Sequence, residues 1–184
     1  MDHVEVIACP TCYLVAAQTA ACHLLGIRRD ADLLLATPSN ATGYNTDGSP
    51  SAASREEMRQ LAVAYAAGIV AMEALSSGST SAESAIWRPY ICAILGAAFD
   101  NQPDADLERI AANTAEAARR LLDDARAWKA IEQIAVQLHH SLEATGEWDT
   151  NAVFGILSHL GGPTPRRVSR ATFDHLERAV TLLV

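Results

Sequence analysis

The 184-residue chain sets 14 Lys and Arg against 22 Asp and Glu, a net charge of −8. That charge repels a phosphate backbone and argues against a nucleic-acid partner. Hydrophobic residues make up 49% of the sequence but aromatics only 5%, a composition that suits closely packed, Ala-rich helices better than stacked sheets. The length fits one domain with a small appendage.

No basic start leads into an apolar secretory segment, and four cysteines without one point to reduced thiols and a cytoplasmic protein. The longest apolar run, LAVAYAAGIVAM, stops at Glu73. It falls short of the roughly 20 residues that span a bilayer, so no membrane span is expected.

In chain order, VEVIA (4–8) alternates apolar and acidic residues as a short strand does. Pro10 suits the first turn of a helix, and Gly26 a helix stop, which predicts a helix over 10–26. DLLLATP (32–38) reads as a buried strand and SNATGYNTDGSPSAAS as a loop. Ser54 and Glu57 form a capping box that opens a helix over 55–75. That helix is apolar on most faces and is expected to be the central buried one. SSGST ends it.

A further helix is expected over 82–99, begun or kinked by Pro89. An amphipathic stretch over 106–145, with Leu107, Ile110, Leu121, Leu122, Trp128, Ile131, Ile134 and Leu138, reads as one bent helix or two. Asp123 and Asp124 are spaced for ion pairs with Arg119, Arg120 and Arg126. Gly146 stops this stretch, and Asp149 or Thr150 caps a short helix reaching Leu160.

These elements divide the chain into a helical body (1–160), a linker (161–169) and a C-terminal helix (170–184). Arg166, Arg167 and Arg170 read as solvated linker. The apolar end of the tail, VTLLV, has to dock on the body or on a partner. Deleting 172–184 is therefore expected to change solution mass or solubility.

Two chemical readings compete for the first helix. Cys9-Pro10-Thr11-Cys12 opens it, where the free N–H groups and the helix dipole would stabilise a thiolate. The pattern resembles the active site of thioredoxin-like oxidoreductases, with Cys9 attacking and Cys12 as the more buried partner. Such a fold needs about four core strands, and only two short candidates exist. The helical hydroperoxidases, which also use Cys-x-x-Cys, expect a histidine where Ala16 stands. A zinc site lacks a second ligand pair: Cys22 and His23 are adjacent, about 100° apart on a helix.

The segment YLVAAQTAACHLLG (13–26) resembles the zinc helix of FtsH-type peptidases, YHEAGHAVVAHLLG, in which two histidines bind zinc and a glutamate activates water. Tyr13, Ala16 and the closing HLLG coincide. Leu14 stands at the first histidine, Val15 at the glutamate and Gln18 at the second histidine. Further along, ATGYNTDG is similar to that family's Gly-Tyr segment, and AGIVAMEALSSG to AGRAAEELIFG, with Gly68 and Glu73 in register. STSAESAI is similar to TTGAENDI, with Ala85 at the aspartate that is the third zinc ligand. The stretch over 117–157 is similar to the family's late helical pair. The ATPase module of the full-length family members has no counterpart, because no Gly-x-x-x-x-Gly-Lys-Ser/Thr loop is present.

The resemblance implies a mainly α, zincin-like domain with one or two short N-terminal strands, no catalytic set, no metal and no cofactor. A domain of that kind would act as a scaffold, regulator or binding module toward a protein partner or a second copy. Two alternatives remain open: a thiol–disulfide protein using Cys9 and Cys12, and an enzyme of other chemistry in a remodelled groove with Tyr13, Gln18 and Glu73. His139 and His140, beside Ser141, have no convergent partners in the sequence and read as structural or solvent-facing.

Overall fold

The computed structural model describes residue 8 and residues 10–28, 55–75, 104–145, 149–163 and 166–167. The expected strand at 32–38, the helix at 82–99, the tail at 170–184 and, Ala8 apart, the strand at 4–8 lie outside the described residues. So do Cys9, Ser54, Ala85 and Gly146.

Among the described residues the chain is mainly helical. Its helices are α1 (Pro10–Leu24), α2 (Arg55–Leu75), α3 (Asp104–Leu122), α4 (Ala125–Thr145) and α5 (Thr150–Leu160). Two dipeptides, β1 (Ile27–Arg28) and β2 (Arg166–Arg167), pair in parallel, Ile27 opposite Arg166 and Arg28 opposite Arg167. No described helix is long and apolar enough to cross a membrane.

Local chemistry accounts for most helix ends. Pro10 occupies the first position of α1, where its missing N–H has no intrahelical acceptor to lose. The helix closes with the N–H of Leu25 donating to Ala21 O at 2.9 Å and that of Gly26 to His23 O at 3.0 Å. Gly26 has φ of 71°, a conformation that a side chain disfavours.

Asp149 caps α5: its carboxylate accepts from the N–H of Ala152 at 3.1 Å. Losing such a cap costs about 0.5–2 kcal/mol. Asp149→Ala is expected to lower stability by about that amount, read from chemical denaturation; a loss near zero would mean that α5 starts without its cap.

The stretch over 106–145 resolves into two helices. The break falls at Asp123 and Asp124, with neither glycine nor proline present. The Asp124 carboxylate accepts from the N–H of Arg126 at 2.8 Å and also holds that residue's guanidinium at 2.8 Å. One side chain thus caps α4 and ends the continuity with α3. Arg126 keeps the Asp124 carboxyl below the usual range, through its side-chain and then its backbone hydrogen bond.

The expected pairing of Arg119 and Arg120 with these aspartates gives way to pairing with Glu116, at 3.9 and 3.1 Å. The reason is direction: both arginines belong to the last turn of α3, and Glu116 lies one turn back on the same helix, whereas Asp124 is already turned to α4.

Among the described elements the central helix is α1, not α2 as the apolar faces of 55–75 suggest. Every residue from Cys12 to Cys22 is buried. Ala16, Ala17, Ala20 and Ala21 are fully enclosed, and their small side chains let helices approach from several sides. α1 packs against α2 and α4 and more lightly against α3 and α5. On α2, by contrast, Val63, Val70 and Glu73 are half-buried and Ala74 is exposed.

The core around α1 includes Leu61 and Met72 of α2, Ile131, Ile134 and Leu138 of α4, and Val153 of α5. Each such side chain stabilises by about 1.5–3 kcal/mol relative to exposure.

Within the expected linker only residues 161–163 and 166–167 are described. The backbone of Arg166 and Arg167 forms β2, which is pinned to the residues that follow α1.

Candidate functional site

The polar side chains of α1 are the natural place to look for chemistry, because its length is otherwise apolar. Thr19 is satisfied internally: its hydroxyl donates to Val15 O, one turn back, at 2.8 Å. Gln18 is not. It is 1% exposed, and neither Oε1 nor Nε2 has a hydrogen-bond partner. A buried amide left in that state costs about 1–3 kcal/mol.

Gly68 of α2 lies against it. A methyl group at Gly68 would stand 2.9 Å from Gln18 Cγ, 3.0 Å from Leu14 O and 3.1 Å from Gln18 Nε2. Glycine suits this crossing by closeness, since an added carbon would force Gln18 or the α1 backbone to shift. Leu14 and Gln18 are four apart and share the α1 face that meets α2. In the peptidase resemblance these are the two histidine positions.

The residues do not fit a zinc ion. Leu14 offers no donor, the Gln18 amide is a poor substitute for imidazole, and Gly68 of α2 lies close against the Gln18 side chain. Among the described residues, no three His, Cys, Asp or Glu side chains converge.

Tyr13 is buried and faces α4. Burial raises its phenol above the ordinary 10.0, and the Glu132 carboxylate raises it further. The folded state therefore holds this proton more tightly than the unfolded chain. Below pH about 10 both states are protonated and the shift has no effect; above it, the native state is penalised and stability falls. Tyr13→Phe is expected to make thermal stability decline less steeply above pH 10 than in the parent chain. Superimposable pH profiles would mean that the Tyr13 phenol is solvated.

Glu73, the third groove candidate, is half-buried near the end of α2, 3.6 Å from the guanidinium of Arg119 on α3. Gln18 thus meets α2, Tyr13 faces α4, and Glu73 bridges to α3. None of the three lines either of two surface clefts, one between α4 and α5 and one along α3.

Cys12 is 1% exposed and Cys22 equally buried, both outside any disulfide. A thiol so placed meets no oxidant or substrate unless the helix start opens. His139 and His140 stack loosely, ring centres 5.9 Å apart and tilted by 45°.

Several informative residues carry no motif. Gly68 matters for its contact with Gln18, and Glu132 for its field on Tyr13. Lys129, the single lysine of the chain, lines the α4–α5 cleft, and only its being the one lysine sets it apart in the sequence.

The fold and site define a mainly helical bundle organised around one buried, alanine-rich helix. No family model matches the chain, and no curated protein or solved structure matches it either.

Proposed function

We propose that this chain is a binding module rather than a peptidase: a degenerate, FtsH-type peptidase-like domain in which the former zinc helix serves as the core of the bundle. Its partner is a protein or a second copy of the chain, toward which it acts as scaffold or regulator.

The observation that carries this reading is the burial of the three positions where a zinc helix needs its histidines and glutamate. Leu14 and Val15 are 2% exposed and Gln18 is 1% exposed. A peptidase helix has to present ligands, an activated water and substrate on one open face. These three side chains meet other helices instead.

The test is zinc content together with proteolysis. Full-length protein, purified without a metal-affinity step and then exposed to zinc, is expected to hold far less than one ion per chain. It is also expected to leave unfolded casein intact. One tightly held zinc per chain, with chelation lowering the melting temperature, would sink the proposal. Light scattering addresses the partner: a mass at a multiple of the chain's own identifies a second copy.

A further inference from the structure

The cleft between α4 and α5 is built from one face of each helix. Arg126, Lys129, Ala130 and Gln133 come from α4, at the spacing of a single helical stripe. Ala152, Gly155, Ile156 and His159 repeat that spacing on α5. The cleft has a volume of about 560 Å³, within the range of small-molecule sites.

Its floor is small and apolar, and its polar groups are cationic or neutral. Among the described residues no carboxylate lines it, and that of Asp124 pairs with Arg126, which does, in a chain with eight more acids than bases. Lys129 is exposed and forms no ion pair with any described residue. Arg126 gives Nε and Nη2 to Asp124, which fixes the guanidinium and leaves Nη1 outside the pair. His159 Nδ1 lies 2.7 Å from Gly155 O; a carbonyl accepts, so Nδ1 carries the hydrogen, and Nε2 donates to an anion only when the ring is doubly protonated.

We propose that this cleft binds a small organic oxyanion, a phosphate or carboxylate on a short apolar body. Lys129 is the charge partner, Arg126 and His159 lie beside it, and the apolar body rests on Ala130, Ala152 and Gly155. The site is separate from α1 and does not depend on the peptidase resemblance.

Phenyl phosphate and benzoate carry the two candidate headgroups on the same apolar body, and inorganic phosphate and benzyl alcohol carry each half alone. Calorimetric titration of the full chain is expected to give saturable binding of phenyl phosphate, benzoate or both, and weaker binding of each half. Because Lys129 is the only lysine, the bound anion is also expected to slow its acetylation, read by peptide mass.

Lys129→Gln is expected to weaken binding about tenfold, as loss of a charged hydrogen-bond partner does. Gly155→Leu tests the floor without touching a charge. A carbon added at Gly155 meets nothing within 4 Å, so the side chain is accommodated and occupies the cleft; saturable binding is expected to disappear while helical content by circular dichroism is kept. No saturation by either anion up to about 10 mM would overturn the proposal, as would undiminished binding by both variants. A fall in solution mass on Gly155→Leu would assign the cleft to a second copy of the chain and overturn it equally.

Discussion

Val15→Glu is expected to lower the stability of the chain by about 3–5 kcal/mol, the cost of an uncompensated buried charge. Val15 is 2% exposed, between Leu14 at 2% and Ala16 at 0%. Glutamate is the residue that the resembling zinc helix carries here, beside metal and water. In this bundle its carboxylate would be enclosed by neighbouring helices.

Domains of this size are stable by only about 5–15 kcal/mol, so the variant would lose a large part of its margin. The penalty has a sign in pH. Burial raises the pKa of the introduced carboxyl, the native state then binds its proton more tightly, and stability recovers as pH falls toward the unfolded value of about 4.3. Urea unfolding at pH 7 and pH 5 reads both effects. A variant as stable as the parent at pH 7 would show that α1 opens onto water at this position, and the core-helix architecture would fail.

Gln18→Met is expected to raise stability by about 1–3 kcal/mol. The substitution keeps the length of the side chain and removes two polar atoms that find no partner. Gly68→Ala is expected to do the reverse, by about 1–3 kcal/mol, because its methyl group meets Gln18 Cγ and the Leu14 carbonyl.

The two sites are in contact, so their effects do not add. With Gln18→Ala in place, the contacts to Cγ and Nε2 are gone and only the Leu14 carbonyl still resists the new methyl. Part of the Gly68→Ala cost should therefore vanish in the double variant. Strict additivity in a double-mutant cycle would separate the two residues and contradict the close crossing of α1 and α2.

Helix ends governed by local chemistry were legible from the sequence. Pro10, Gly26 and the Asp149 carboxylate each act within a few residues of the boundary they set, and α2 spans 55–75 as its pattern predicts. The break between α3 and α4 was not fixed, because apolar spacing runs through it and the decisive event is one carboxylate choosing the N–H of Arg126.

Centrality was misjudged for a different reason. The apolar faces of 55–75 suggest α2, but buried alanines occur on both helices (Ala62, Ala64, Ala66, Ala67 and Ala71 on α2) and do not decide; the inner position goes to α1, which touches every other described helix. At the candidate site, the sequence names Leu14, Val15 and Gln18 but not their surroundings. The absence of partners for the Gln18 amide depends on α2 lying against it, and no spacing rule within α1 contains that fact. The pairing of Arg166 and Arg167 with Ile27 and Arg28 is equally remote in sequence.

That pairing also sets an order of events in folding. Ile27 and Arg166 bracket α2, α3, α4 and α5, so joining them closes a loop of most of the chain. The entropy of closing such a loop is not repaid by two residue pairs. The ladder therefore forms as a product of helix docking and cannot seed it; nucleation falls to nearer neighbours such as α4 and α5. The same accounting runs in reverse in the native state. Among the described elements the dipeptide ladder is the smallest paired unit. Arg166 and Arg167 can let go of it while Ile27 stays in the core, a latch that fastens after the helices have docked.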